Sequence, residues 1–459
     1  MTDNGVNSSS AVPQVTVIGG GLAGSEAALQ LANRGIRVHL YEMRPKVSSP
    51  AHHGGLCAEL VCSNSLKSDN ENSAAGTLKR ELALLGSRLL HHAREHHVCA
   101  GGALAVDREA FSMAVHAEIV AHPNIELVHE EVTCLNPNTL SPTIVAAGPL
   151  ASSDLANSLQ SITGIDALSF YDAAAPIVSK ESLDMSRVFA ASRYGKGSGD
   201  DYLNCALNEE EYRIFHDALL SAKRVKEKDF EQKELFAACQ PIEELARKGY
   251  DTLRFGALKP VGIDDPRTGR YPFAVVQLRK ETAAGEMYNL VGFQTNLRFG
   301  EQQRVFSLIP GLEDIDIVRY GVMHRNTFVD APRALHSDFA LHNAPDIYLA
   351  GQICGTEGYL EAVGSGLMCA LNVYARLSST NDKAAITLPP ESVLGALLAY
   401  STDQSVVDYQ PMHVNFGLML PLAKRVRNKR DRYAAYSVRA QTAVTDWIAA
   451  NQDRLFDYD

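Results

Sequence analysis

The sequence predicts an α/β protein that opens with a Rossmann-type nucleotide-binding unit, and three observations carry that reading. A β-branched run, a glycine-rich turn and a helix-favouring stretch follow one another in "VTVIGGGLAGSEAALQLANRGIRVHLYE" (15–42), which ends on an acid. Mixed helix and strand signals fill residues 151–330, and the chain from about 385 onward reads as helix-rich. At 459 residues the chain is too long for one ordinary core and is expected to hold two or three domains.

Residues 1–13, "MTDNGVNSSSAVP", lack the charged-then-apolar layout of a signal peptide and read as a short disordered tail. Val15–Ile18 is then a buried strand. Gly19, Gly21 and Gly24 form G-x-G-x-x-G. The first glycine permits the tight turn, the second lets the backbone approach a pyrophosphate, and the third lets helix and strand pack closely. Gly20, Leu22 and Ala23 complete a turn that presents a helix N-terminus to negative charge. "RVHLYE" is a second strand ending at Glu42, about 20 residues on, where a carboxylate can hold a ribose hydroxyl. Arg44, just beyond it, is positioned to meet a phosphate or the adenine end.

Two later stretches resemble other parts of FAD-binding enzymes. "TIVAAGP" (143–149) is similar to the strand-to-glycine turn of their middle segment and nominates Gly148. "IYLAGQICGTEGYLEAVGSGLMCALN" (347–372) resembles their closing segment, where an apolar strand ends in Ala-Gly and a later helix points its N-terminus at the flavin. It nominates Gly351, Gln352 and Gly355. This resemblance implies FAD rather than NAD as the tightly held cofactor. It also implies a glutathione-reductase-like FAD domain, residues 14–150 and 331–385, interrupted by an α+β insertion at 151–330 and followed by a helical segment at 386–459.

Within the insertion, "NEEEYRIFHDALLSAKRVKEKDF" has apolar residues at helical spacing with charges opposite, the pattern of an exposed amphipathic helix. "FAVVQLRK" and "MYNLVGF" read as a strand pair. "RYGKGSGDDYLN" lacks a P-loop ending and reads as a surface loop. In the last segment Lys424, Arg425, Arg427, Lys429, Arg430 and Arg432 crowd together.

Composition narrows the function classes. Hydrophobic content of 46% with 21% charged residues fits a globular enzyme. No apolar run approaches the ~20 residues of a membrane span, so no membrane association is expected. A formal net charge of −11 argues against indiscriminate nucleic-acid binding but leaves room for a local basic face. The eight cysteines are scattered rather than framed, which suggests reduced thiols in a cytoplasmic protein.

Over nearly its whole length the chain resembles the folate- and FAD-dependent tRNA (uracil-5-)-methyltransferases, bacterial relatives of the GidA flavoproteins. The residues that carry this are "IGGGLAGSEAA", "LYEMRP", "AELVCSNSLKS", "GGALAVDREAFS", "YDAAAPIV", "DYLNC", "PIEELARKGYDTLRFG", "KPVGIDDPRTG", "NLVGFQTNL", "RYGVMHRNTF" and "AGQICGTEGY". The resemblance implies formation of 5-methyluridine in the tRNA T loop, with methylenetetrahydrofolate as carbon donor, NADH or NADPH as reductant and no obligate protein partner. Some family members act on ribosomal RNA, which stays open as an alternative target. An FAD oxidoreductase acting on a small molecule is the rival reading from another class. A GidA-like enzyme working with a partner GTPase would need a longer C-terminal helical domain. The chain departs from the family pattern at Cys57, Gln240 and Cys354, where Phe, Met, and Ser or Thr are usual.

The chemistry implied needs a thiolate that adds to the uracil ring, so that the neighbouring carbon becomes nucleophilic, and a base that later removes the proton from that carbon. By resemblance Cys239, in "FAACQPIEELA", is the nucleophile and Cys62, in "AELVCSNSLKS", the second thiol, acting as base. A free thiol with a pKa of about 8.5 needs a cation or a helix N-terminus to act near neutrality. Cys239 precedes a helix that Pro241 suits, and Ser63 and Ser65 are expected to cap a helix after Cys62, with Lys67 as its cation. Cys57 reads as a packing residue, with a Cys57–Cys62 disulfide as the rival. His92 and His96 stand at i, i+4 but lack the Glu of H-E-x-x-H and a nearby third ligand, so they read as a solvated helix end and no metal is expected. The basic stretch 424–432 reads as a solvated face and, given an RNA substrate, as the best source of phosphate contacts. "GVMHRNTF" (321–328) reads as a site loop whose His324, Arg325 and Asn326 are available to folate or RNA.

Overall fold

A computed structural model describes residues 13–49, 51–139, 141–165, 168–225, 240–378, 384–407 and 409–455. Residues 1–12 of the tail expected at 1–13, and the expected nucleophile Cys239, lie outside the described residues.

The first sheet has six strands in the order Ala340–Leu341, Ala344–Leu349, Thr143–Val145, Gln14–Ile18, Arg37–Tyr41, Ile125–Val128. All are parallel except the first, an antiparallel edge. Val17 pairs with Leu40 on one side and Ile144 on the other. The opening strand therefore lies at the middle of the sheet, where the order reverses and where open α/β sheets receive ligands at the carboxyl ends of their strands. The sheet is assembled from three separated stretches of chain, as an interrupted FAD domain requires.

Close backbone approach builds the layer above this sheet. Helix Leu22–Ala32 buries ten of its eleven residues. It packs on helix Tyr359–Ser378, where a Cβ on Gly366 would come within 2.2 Å of the Ala23 carbonyl. The segment Ser153–Thr163 adds Leu155 and Leu159 to the same core, and the C-terminal segment joins it through Val393, Leu394, Ala440 and Val444.

The second core draws on residues 175–317. Its sheet is antiparallel throughout, in the order Val188–Ala190, Tyr202–Leu207, Ala274–Lys280, Met287–Leu290, Ile177–Ser179, Ile317–Arg319. The anticipated strand pair is the central one, with Leu278 opposite Leu290. Helix Glu209–Ser221 starts at a capping box formed by Asn208 and Glu211 and buries Tyr212, Phe215 and Leu219 beneath its charged face. The chain crosses between the two cores on an antiparallel ribbon, Leu168–Ala173 with Met323–Phe328.

Two local expectations change. The stretch 321–328 is mostly strand rather than loop, because residues 323–328 form the return arm of that ribbon. No helix follows Cys62: Ser65–Ser68 is a strand paired with Ala103–Val106. Serines at 63 and 65 serve tight local turns, with the Ser65 amide donating to the Ser63 hydroxyl at 3.1 Å.

Candidate active site

The glycine turn floors a cleft of about 940 Å³ that is open to solvent. Gly19 has φ of +103°, and a Cβ there would lie 2.6 Å from the Ala146 carbonyl, so two strands and the turn meet only around a glycine. A Cβ on Gly24 would fall 1.9 Å from the Gly19 carbonyl, which is the tight helix–strand contact expected of the third glycine. At Gly21 a Cβ would meet nothing within 4 Å, and this residue caps helix Leu22–Ala32 without any side-chain hydrogen bond. The first-turn N–H groups of the helix thus face open space at its positive end. Leu22, Ala23, Gly148 and Gln352 also line the cleft. An uncapped helix start, a glycine open to the cleft and a switch-point position together fit the pyrophosphate of a dinucleotide.

Glu42 is fully engaged within the protein. It accepts from the Gly20 amide at 2.9 Å, from the Arg44 amide at 3.0 Å, and from the Arg44 guanidinium at 2.8 and 3.0 Å. Burial opposes its charge, but the hydrogen bonds and charge of Arg44 and the Gly20 amide hold its carboxyl below the usual range. Arg44 is itself buried and bridges to Glu59 at 2.9 Å. The two residues named for ribose and phosphate both line the cleft and at the same time brace the turn and the loop beyond it. Gly351 and Gly355 are also structural: the first abuts Ala23, and the second lies under Tyr409, whose hydroxyl donates to the Cys354 carbonyl at 2.7 Å.

Cys62 stands in the wall of a second pocket of about 630 Å³, which shares Val61, Pro149, Gln352 and Tyr359 with the glycine-turn cleft. Its amide donates to the Tyr359 hydroxyl at 2.9 Å, as does the Ser63 amide at 3.1 Å. Lys67, the cation expected beside this thiol, instead pairs with buried Glu361 at 2.6 Å. The cation nearest in the hydrogen-bond network is Arg279, which donates to the Ser63 hydroxyl and to the Asn64 side-chain oxygen Oδ1, both at 2.8 Å. Asn326 lines the same pocket, is 1% exposed, and has a buried side-chain oxygen without a partner.

Sequence reasoning missed Tyr359 and Arg279. The only local signal for Arg279 is a cation near the end of a largely apolar strand, and Tyr359 carried none. Cys57 and Cys62 are both free thiols, so the disulfide alternative is set aside; burial pushes the Cys57 thiol up to about 12. Cys354 is buried and donates to the Gly351 carbonyl at 2.9 Å, holding the turn from beneath. A wider cavity of about 1510 Å³ opens between the two cores, lined by Arg108, Arg319 and the stacked rings of Phe299 and Tyr320. No helix among the described residues is long and apolar enough to cross a membrane.

A sequence profile of the family described as "Glucose inhibited division protein A" matches residues 14–381. The chain is 54% identical over 435 residues to a methylenetetrahydrofolate–tRNA-(uracil-5-)-methyltransferase, TrmFO, of Geobacter sulfurreducens, covering 95% of this chain and 99% of that one. It is 49% identical over 434 residues to the protein of the same name from Lactiplantibacillus plantarum, with 95% and 97% covered. Among solved structures, GidA of Aquifex aeolicus superposes with a TM-score of 0.68 at 16% identity, covering 97% of this chain and 74% of that one, which speaks for the fold.

Proposed function

This chain belongs to the methylenetetrahydrofolate–tRNA-(uracil-5-)-methyltransferases of the GidA family, and on that premise we propose how its own residues divide the work. It methylates uracil in tRNA, takes its carbon from methylenetetrahydrofolate and uses FAD. The proposal adds the T-loop uridine as the position, NADH or NADPH as the electron source and the cytoplasm as the compartment.

Cys239 is assigned the addition to the uracil ring, which makes the adjacent carbon nucleophilic toward the folate-borne methylene. Cys62 is assigned the proton that this carbon must then lose. Tyr359 holds the backbone on both sides of the Cys62–Ser63 peptide, and Arg279 provides positive charge beside it. Asn326 offers a buried acceptor to an N–H of the incoming base. Leu22, Ala23, Gly148 and Gln352 line the cofactor cleft, and the Gly21 turn leaves its helix start free for the pyrophosphate. Reduced FAD, when bound, supplies the electron pair by which a methylene becomes a methyl.

The observation that carries this reading is the shared wall: the Cys62 pocket and the glycine-turn cleft have Val61, Pro149, Gln352 and Tyr359 in common. Labelled methylenetetrahydrofolate, NADPH and unmodified tRNA or ribosomal RNA test it. Label is expected at a single T-loop uridine of tRNA. Label confined to ribosomal RNA would move the target, and turnover without RNA would replace the reading with a small-molecule oxidoreductase.

A further inference from the structure

We propose that His92, Glu95 and His96 form a binding site for a divalent transition cation of the zinc class, outside the residues assigned to methyl transfer. One ligand atom from each of the three residues lies within 4.8 Å of the others. They stand at the end of helix Arg88–Glu95, whose start is held by the Ser87 hydroxyl and by buried Glu26, which accepts from the Leu89 amide at 2.9 Å. The last turn is held as well, by the His96 amide donating to the His92 carbonyl at 3.0 Å and the Asp107 amide to the His96 carbonyl at 2.8 Å.

The decisive feature is His92. It is 8% exposed, so it is not the solvated residue its sequence context suggests, and its Nδ1 is buried without a hydrogen-bond partner. Its Nε2 is hydrogen-bonded to Glu118, which also accepts from Arg88 at 2.7 Å. With the ring proton on Nε2, directed at that carboxylate, Nδ1 presents a lone pair. It does so 3.7 Å from the Glu95 carboxylate, too far for a hydrogen bond. A carboxylate that fixes the tautomer of a ligating imidazole is the usual outer partner of a metal-bound histidine. The ring of His96 lies nearly parallel to that of His92, at 25° and 6.5 Å between centroids, as an i, i+4 pair on one helix face. Glu95, half-exposed and paired at 3.2 Å with His91 through its other oxygen, supplies a third ligand beside the two histidines.

Two imidazoles and one carboxylate, with a fourth position open to water, suit Zn²⁺ or Ni²⁺ and not Mg²⁺ or Ca²⁺, which prefer all-oxygen shells. A metal there would tie the end of this helix, through His92 and Glu118, to helix Arg108–Ala121. It would stabilise the folded chain by binding it and not the unfolded one.

Calorimetric titration of the flavin-loaded, untagged chain with Zn²⁺ tests the proposal. Saturable one-to-one binding in the micromolar range is expected, together with a rise in melting temperature. The two ligands that are not buried are the safe variants: His96→Ala and Glu95→Gln should each weaken binding at least tenfold, whereas His97→Ala should leave it unchanged. Glu118→Gln, which removes the orienting charge but no ligand, should cost about 10–100-fold. The proposal is overturned by absence of saturable binding, or by His96→Ala and Glu95→Gln chains that bind Zn²⁺ as tightly as the parent.

Discussion

At the scale of single residues, the Cys62 pocket is distinguished by a polar atom with nothing to bind. A buried side-chain oxygen left unpaired costs free energy, and Asn326 carries one in the wall that Cys62 occupies. With Asn326 as acceptor for a base N–H, Asn326→Ala should lower kcat/KM for tRNA by about tenfold, the worth of one neutral hydrogen bond at roughly 1.4 kcal/mol. The flavin spectrum should be unchanged. An unaltered kcat/KM would remove Asn326 from the site. Cys239→Ala tests a different residue in a different way: methyl transfer should vanish while the protein stays yellow, and loss of flavin from that variant would mean its role has been misassigned. Serine at Cys62 keeps the size and removes the acidity, so Cys62→Ser should depress turnover by orders of magnitude without changing tRNA affinity. A variant that binds tRNA poorly would make Cys62 a contact rather than a base.

Among the elements, helix Val393–Thr402 shows how a buried acid can set a pH dependence. Its start is capped by Ser392 and by Glu81, whose carboxylate accepts from the Val393 amide at 2.8 Å and the Leu394 amide at 2.9 Å. Burial raises Glu81 to about 8 from an ordinary 4.5, against the pull of those two amides. The folded chain therefore keeps a proton that the unfolded chain has lost. This contribution to stability is complete below about pH 4.5 and disappears as pH rises through about 8. Glu81→Gln carries no such titration, so its melting temperature relative to the parent should rise between pH 5 and pH 8.5; a constant difference would contradict the assignment. Elements also explain what was readable in the sequence. The strand, glycine turn, helix and second strand of residues 14–42 were legible because each is set by local chemistry and the parallel pairing joins neighbours in the chain. The strand at Ser65–Ser68 was not, because pairing with Ala103–Val106 outweighs the capping signal of its serines. The ribbon arm Met323–Phe328 likewise depends on a partner that leaves the first core more than 150 residues earlier in the chain. Of the candidate site, the glycines could be named from their own neighbours, whereas Cys62 was named only through the family resemblance. Tyr359, 297 residues from Cys62, could be named from neither.

For the whole molecule, the problem is how a chain of net charge −11 holds a polyanion. The described structure answers with segregation. Lys424, Arg425, Arg427, Lys429 and Arg430 are all exposed, in the loop before helix Lys429–Ala450 and in its first turn. Cations in a first helical turn oppose the helix dipole, a cost that the contact of Lys429 with the Tyr433 ring, 5.4 Å from its centroid, offsets only in part. We propose that these cations contact phosphates, because the same positive helix end that disfavours Lys429 and Arg430 favours an anion lying across them. Each phosphate neutralised releases counterions and steepens the salt dependence of affinity, by about 0.7–0.9 in the slope of log K against log salt. Replacing Lys424, Arg425 and Arg427 with serine should therefore flatten that slope by about 2 and weaken tRNA binding most at low salt. FAD content should not change, because the cofactor cleft uses none of the three. Turnover at saturating tRNA should also survive, since the substitutions remove encounter and grip but leave the pocket around Cys62 as it is. An unchanged slope would place the RNA on another face, with the Arg108–Arg319 cavity between the two cores as the next surface to test.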